Sequence, residues 1–164
     1  MEADWKTELN TVVCHVLEQT AFLFPEPADL ADGISFDGRE YLSASLPFSG
    51  DHTGCVVLVM PVEMSRELAA NLLGEDDDVD ISPEKQYDAA KEILNIIVGQ
   101  LLIQLYGDKA LFDLTPPKVK GIGQEELFAL IEQNEYALSV ADDYPIVAIM
   151  NPVVTDHEHQ SSRS

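Results

Sequence analysis

The sequence predicts an α+β fold, in which a mainly antiparallel sheet packs against two long helices. Two segments, one near the N-terminus and one starting at residue 83, carry apolar residues at helical spacing. Each is followed by segments with the alternating or continuous apolar pattern of β-strands. Because this order of a helix followed by strands occurs twice, we also expect a weak internal duplication.

The chain has 164 residues and a formal net charge of −21, which is long enough for one domain with a sizeable core. Nine Lys and Arg against thirty Asp and Glu argue against nucleic-acid or anionic-membrane binding, because both need clustered cations. We expect one domain at residues 1–154, with halves at about 1–74 and 82–154 and an acidic linker at 75–81. Residues 155–164 are expected to form a disordered tail.

The N-terminus lacks a basic segment followed by an apolar one, and no apolar stretch is long enough to span a membrane. This pattern predicts a soluble, cytoplasmic protein. Cys14 and Cys55 lie far apart, in segments assigned to a helix and a strand, so they form neither a CxxC motif nor a zinc cluster. Both are expected to be reduced and buried.

The first element is predicted to be an amphipathic helix from roughly Asp4 to Phe22. Its apolar residues recur on one side at helical spacing: they are Trp5, Leu9, Val12, Val13, Val16 and Leu17. The segment FPEPADLADG ends this helix, because two prolines and a glycine cannot continue it.

The next residues change to the pattern of strands and then return to that of a helix. Apolar residues alternate over residues 42–48, and the Asp-Gly pair at 37–38 predicts a hairpin turn. The apolar run TGCVVLVMP predicts a strand that is covered on both faces or lies inside an antiparallel sheet. A shorter helix is predicted at Met64 to Leu73 and ends at Gly74.

The acidic block GEDDDVD raises the question of a calcium site. Three of its aspartates alternate as in an EF-hand loop: Asp76, Asp78 and Asp80. The comparison fails, because Ile81 occupies the position of the loop glycine and Tyr87 that of the bidentate glutamate. His157 and His159 in the predicted tail lack a preorganised geometry. We therefore expect a solvated linker and no metal site.

Residues 83–107 are predicted to form one long helix, with Ser82 as its N-cap and Pro83 in its first turn. The helix is apolar almost all the way round, so it must bury most of its surface. Its polar exceptions form a narrow stripe at i, i+4, i+7 and i+11, flanked by Lys91: they are Asp88, Glu92, Asn95 and Gly99. This pattern is compatible with a functional site and also with an exposed edge that serves solubility.

The chain after this helix is predicted to be mainly extended. The segment DLTPPKVKGIG contains a rigid Pro-Pro pair that leads into an extended piece. Two strands follow, with the sequences EYALSVAD and PIVAIMNP.

The pattern Asp88-x-x-x-Glu92-x-x-Asn95 is followed, twenty-one residues after the asparagine, by the Pro-Pro pair at 116–117 and then by Gly121. This combination resembles the signature of the CheX/CheC/FliY chemotaxis phosphatase family, and CheX most closely. The predicted order of elements extends the resemblance to nearly the whole chain. The resemblance therefore implies a CheC-like fold.

The resemblance also implies an activity, which is hydrolysis of the aspartyl phosphate of a CheY-type response regulator. In that reading Asn95 orients the attacking water, and Glu92 contacts the lysine of the regulator. Asp88 supports the helix face or contacts the partner. Lys91 and Gly99 beside it are expected to belong to the surface that binds the partner. The protein would need no cofactor of its own, because Mg²⁺ is expected on the partner regulator, and a homodimer is expected as in CheX.

The residue types suit this chemistry. An acyl phosphate has a good leaving group, and the receiver domain provides Mg²⁺ and a lysine, so a positioned water is the missing contribution. A neutral amide can accept from and donate to that water, whereas a carboxylate at the same point would repel the phosphoryl oxygens.

Two other readings stay open at this point. The same fold could bind a receiver domain or another signalling component without hydrolysis. A purely structural domain is the third reading, and it requires that Asn95 be buried and hydrogen-bonded within its own chain.

Three features differ from the family pattern. Leu94 stands where CheX-like sequences often have glycine, and its bulk is expected to alter how closely a partner approaches. The first helix has His15 and Glu18 where CheC-like proteins repeat Glu and Asn, which leaves one candidate site per chain. The acidic linker is expected to repel some regulators.

Overall fold

The structure is a computed structural model that describes residues 5–74 and 81–151. These residues form a seven-stranded antiparallel sheet and four α-helices, which confirms the predicted α+β class. The first half contains α1 (Trp5–Ala21), β1 (Glu26–Pro27), a 3₁₀ turn (Leu30–Asp32), β2 (Tyr41–Gly50), β3 (Gly54–Pro61) and α2 (Val62–Leu73). The second half contains α3 (Pro83–Tyr106), β4 (Phe112–Leu114), β5 (Lys118–Ile122), α4 (Gln124–Gln133), β6 (Ala137–Ala141) and β7 (Tyr144–Asn151).

The strands of the two halves are interleaved in the sheet. The order is β1-β6-β7-β3-β2, and both β4 and β5 pair with the outer side of β2. The central pair is β3 with β7, in a register that places Val57 opposite Ile149. Each half thus contributes one hairpin to the centre and a short strand to the hairpin of the other half, since β1 pairs with β6 and β5 pairs with β2. The sheet order is therefore the same when the halves are exchanged.

Both faces of the sheet are covered. On one face α3 lies over β2 and β5, α1 lies over β6 and β7, and α2 packs beside both helices. On the other face a second core forms around Phe36, Tyr41 and Leu127, where α4 and the segment before β2 meet the sheet. This two-sided covering explains why β3 and β7 are apolar on both faces.

The signals for the ends of the helices are confirmed. The Ser82 side chain accepts a hydrogen bond from the Lys85 backbone N–H at 3.3 Å, and Pro83 is the first residue of α3. Gly107 follows the last turn of α3 with φ 88°, and Gly74 ends α2 in the left-handed region with φ 69°. A glycine has no Cβ to oppose these positive φ values.

The Asp-Gly pair at 37–38 forms a turn, but the prediction of a hairpin there is wrong. The residues before it are not a strand, because Phe36 packs its ring against Phe128 of α4 and its carbonyl accepts a 2.6 Å hydrogen bond from the Tyr41 hydroxyl. The segment therefore crosses the face of the sheet. The hairpin of this half joins β2 to β3 through residues 51–53.

The sequence pattern does not predict helix α4. Leu127 is buried in the second core, and Leu130 and Ile131 pack partly buried against it. Their spacing of three and four residues is a helical signal, but it extends over only ten residues. A helix this short depends on its packing against the sheet more than on its own propensity.

The remaining predictions concern the two cysteines, membrane-spanning helices, the acidic linker and the tail. Cys14 and Cys55 are free, as expected, but half-buried, and this burial raises the pKa of both thiols above its ordinary value. Within the described residues no helix is long and apolar enough to cross a membrane. Residues 75–80 of the linker predicted at 75–81 and the tail predicted at 155–164 lie outside the described residues, so the predictions for them are untested.

We predict that Leu94→Ala lowers the free energy of unfolding by about 2–5 kcal/mol, because it leaves a cavity where a fully buried side chain packs between α3 and the rest of the core. The neighbouring substitution Asn95→Ala is the matched control. It is expected to change this free energy by no more than about 0.5 kcal/mol, because Asn95 is exposed. Urea denaturation of both variants measures the difference, and equal stabilities would contradict the assignment of the two faces of α3.

Candidate functional site

The packing of α3 determines which of its residues reach solvent. One side of the helix is buried against the sheet and the neighbouring helices, and the apolar residues of that side are Ala89, Ala90, Ile93, Leu94, Ile97, Val98, Leu101 and Leu102. The residues on the opposite side face outward. The polar stripe lies on this outward side.

The structure brings all the predicted site residues together on one surface. Asp88, Glu92 and Asn95 are exposed, and Lys91 and Gly99 are half-exposed. Successive members of the stripe are one helical turn apart, so their Cβ atoms are separated by about 5–6 Å. Asp88 and Asn95 are about 10 Å apart along the helix axis. One partner surface can therefore contact the whole stripe.

The side chain of Asn95 is available to a partner. It makes no hydrogen bond to any other residue in the part of the chain that the structure describes. Its amide can therefore accept and donate at the same time toward an external group. The purely structural reading requires a buried and hydrogen-bonded Asn95, and the observed geometry does not meet that condition.

Gly99 is not required by the packing of the chain itself. Apart from the backbone of its own helix, a Cβ atom built on this residue would meet no atom of the described residues within 4 Å. Glycine inside a helix costs about 1 kcal/mol of stability relative to alanine. The fold therefore offers no steric reason for a glycine one turn after Asn95.

The expectation that Leu94 would affect the approach of a partner is wrong. Its side chain is fully buried and belongs to the core under α3. A step of one residue turns the helix by about 100°, so Leu94 and Asn95 point in different directions. The Leu94 side chain stabilises the packing of α3 on the core and does not reach the outward surface of the helix.

The downstream part of the motif lies at the edge of the sheet. The Pro-Pro pair at 116–117 connects β4 to β5, and both strands pair with β2. Gly121 lies opposite Leu42 in the ladder between β5 and β2. Because proline lacks the N–H needed for a ladder, this pair separates the two short strands. Its position between two strands that pair with β2 indicates a structural role.

Helix α1 offers a weaker counterpart of the stripe. Thr11, His15 and Glu18 have the same spacing and are exposed. They lack the side-chain amide that distinguishes Asn95. In residues 5–74 and 81–151, α3 is therefore the one helix that carries the complete motif.

Asn95 lies on the exposed side of α3, away from two clefts of the protein. A cleft of about 480 Å³ lies near the first turns of α3, lined by residues that include Tyr41, Gln86 and Tyr87. A second cleft of about 350 Å³ lies beside α2 and Tyr144. None of the predicted site residues lines either cleft. Small-molecule sites are usually concave, so the exposed stripe is better suited to a macromolecular partner.

The helical pattern missed one feature of this surface. The pattern predicts a helix that buries most of its surface and does not single out Ile103, which is 55% exposed, or Ile96, which is only partly buried. Both lie on the same side of the helix as Glu92 and Gly99. Their spacing of seven residues was the available signal.

A family model described as chemotaxis phosphatase CheX matches residues 42–137, which is more than half of the chain and includes all of α3. The chain belongs to the CheX family. This match confirms the resemblance identified from the sequence motif. No curated protein matches the chain by sequence.

Solved structures confirm the CheX/CheC-like fold. CheX from Vibrio vulnificus is 18% identical with a TM-score of 0.64, and the match covers 91% of this chain and 97% of that one. CheX from Desulfovibrio desulfuricans is 16% identical with a TM-score of 0.62, covering 91% and 100%. The structure of a CheX-CheY-BeF3-Mg²⁺ complex from Borrelia burgdorferi matches at 20% identity with a TM-score of 0.60, covering 91% and 99%.

We predict that Gly99→Ala raises the free energy of unfolding by up to about 1 kcal/mol, because alanine has the higher helix propensity and its Cβ enters open space. Urea denaturation measures this change. Gly54→Ala is the contrasting variant, since its Cβ would lie 2.8 Å from a backbone oxygen of Asn151, and it is expected to destabilise. A loss of stability in Gly99→Ala would mean that the fold itself needs this glycine.

Proposed function

We propose that this protein hydrolyses the aspartyl phosphate of a CheY-type response regulator by positioning the attacking water. The observation that carries the proposal is the exposed amide of Asn95, which has no hydrogen-bond partner in the described residues and lies one turn from Glu92. Membership of a chemotaxis phosphatase family supports it. The solved complex of a CheX with CheY supports a receiver domain as the partner.

The proposed reaction needs little covalent chemistry from this chain. The oxygen of water forms a bond to phosphorus while the bond between phosphorus and the aspartyl oxygen breaks. The leaving carboxylate keeps the electron pair, and the proton lost by the water passes to the released phosphate or to solvent. Asn95 would hold the water in line with the breaking bond, and this positioning lowers the entropic part of the barrier.

The choice of an amide follows from charge. The phosphoryl group is anionic, so a carboxylate at position 95 would repel its oxygens, whereas an amide carries no net charge. The cations that neutralise the phosphoryl group are Mg²⁺ and a lysine of the receiver. A net charge of −21 on this chain is therefore compatible with phosphate chemistry.

Glu92 is proposed to contact the lysine of the receiver. An exposed carboxylate one turn from Asn95 can reach a cation beside the phosphorylated residue. Asp88 and Lys91 lie on the same outward side and would contact the rim of the partner, while Gly99 leaves room for it. A response-regulator substrate would place the protein in the cytoplasm.

We predict that Asn95→Ala lowers the rate at which this protein removes phosphate from the receiver on the order of 10²-fold or more, because the water is no longer held in line. The measurement is the phosphoryl lifetime of receiver proteins encoded in the same genome, phosphorylated with acetyl phosphate. Gln100→Ala removes another exposed amide of α3 and is expected to keep wild-type activity. A wild-type protein that binds receivers without shortening this lifetime would favour the non-catalytic binding module.

We predict that Glu92→Gln raises the KM for the phosphorylated receiver about tenfold, because a charge-assisted contact to the lysine becomes a neutral one. This effect should shrink as salt is added, since the contact lies at the surface. Glu132→Gln on α4 makes the same change of charge at an exposed residue on the other face of the sheet. If both variants raised KM equally, a general charge effect would explain the result, and Glu92 would have no specific contact.

A further inference from the structure

The outward side of α3 continues past the polar stripe as an apolar notch. Glu92, Ile96, Gly99 and Ile103 recur at i, i+4, i+7 and i+11, so they lie along one line of the helix. Ile96 is half-exposed and Ile103 is 55% exposed, and they are about 10 Å apart along the axis. In the part of the chain that the structure describes, no side chain comes within 4 Å of a Cβ built on Gly99. We define the notch as Ile96, Gly99 and Ile103.

The notch lies in an uncharged part of a strongly acidic protein. The chain carries a net charge of −21, yet no charged residue occurs between Ile93 and Gly107. All charged residues of α3 lie in its first ten positions: they are Glu84, Lys85, Asp88, Lys91 and Glu92. The outward surface of the helix is therefore charged before Asn95 and neutral after it.

The notch lies next to the proposed catalytic residue. Ile96 directly follows Asn95, and Gly99 lies one turn after it, about 6 Å away along the axis. A partner that brings a phosphoryl group to Asn95 must therefore also cover Gly99. A side chain larger than glycine at position 99 would project into that partner.

We propose that the notch is a docking surface for an apolar side chain of the receiver domain. That side chain would lie at the rim of the receiver's phosphorylation site. This inference rests on the proposed function and extends the contact beyond Asn95 and Glu92. The occupant follows from charge. A charged side chain of the receiver would lose its water in the notch without gaining a partner of opposite charge, because α3 carries no charged residue between Ile93 and Gly107. An apolar side chain has no such cost, and its contact with Ile103 removes apolar surface from water.

A second copy of this chain is a less suitable occupant. A copy seated in the notch would cover Asn95 and block access of the substrate. The receiver domain instead contacts Asn95 and the notch in one complex.

The test is a steady-state phosphatase assay in which the concentration of the phosphorylated receiver is varied. We expect Ile103→Ala to raise KM about five- to twentyfold and to leave kcat within about twofold, because it removes an apolar contact far from the reacting atoms. Gly99→Leu fills the notch and should raise KM further. The matched control is Leu111→Ala, which truncates a 75% exposed apolar residue outside α3 and should leave KM unchanged.

The outcomes separate this inference from the proposed function. If Ile103→Ala and Gly99→Leu both keep the wild-type KM, the notch is not a docking surface. In that case a loss of kcat in Asn95→Ala would still support the proposed phosphatase activity. If Asn95→Ala is fully active, the proposed function fails. If the wild type binds receivers without hydrolysis, calorimetric Kd values of the same variants replace KM. A loss of self-association in Ile103→Ala, seen by light scattering and without a change in KM, would assign the notch to a second copy and overturn the inference.

Discussion

The arrangement of this protein depends on the pairing of strands from its two halves. The ladder between β3 and β7 joins the halves at the centre of the sheet, and each half completes the hairpin of the other with a short strand. Helix α3 lies over β2 from the first half and β5 from the second. The orientation of the candidate site is therefore set by both halves together.

A second constraint holds α3 against rotation about its own axis. The buried side of the helix contains only apolar residues along most of its length, while Gln86 ties its first turns to neighbouring groups. The Gln86 side chain donates to the Ile81 carbonyl at 3.2 Å and accepts from the Ser65 hydroxyl at 3.1 Å. A rigid support of this kind is what a site needs when its function is to place one amide accurately.

The parts of the fold that follow from local chemistry could be predicted from the sequence. Ser82 and Gly107 mark the ends of α3 because a side-chain oxygen caps the first turn and a glycine accepts positive φ. The spacing of Asp88, Glu92 and Asn95 likewise places them on one line. The sequence does not decide whether that line faces solvent, because a helix with so many apolar residues does not reveal how wide its buried side is.

The errors have the same origin in tertiary packing. The Asp-Gly pair at 37–38 forms its turn, but Phe36 is held by α4 and Tyr41, so the preceding residues cannot pair as a strand. The bulk of Leu94 is expected to affect a partner at Asn95, but one step along the helix is enough to bury its side chain. Ile103 is apolar, yet its side chain is 55% exposed. In each case the deciding contacts come from residues distant in sequence.

The position of β7 has a consequence for how the chain folds. This strand is the last element of the described residues, yet it lies between β3 and β6 inside the sheet. During synthesis the hairpin of β2 and β3 leaves the ribosome long before the strand that covers its inner edge. The exposed edge of β3 is a site where nascent chains can pair wrongly. Folding of this domain is therefore expected to be completed only after β7 has been made.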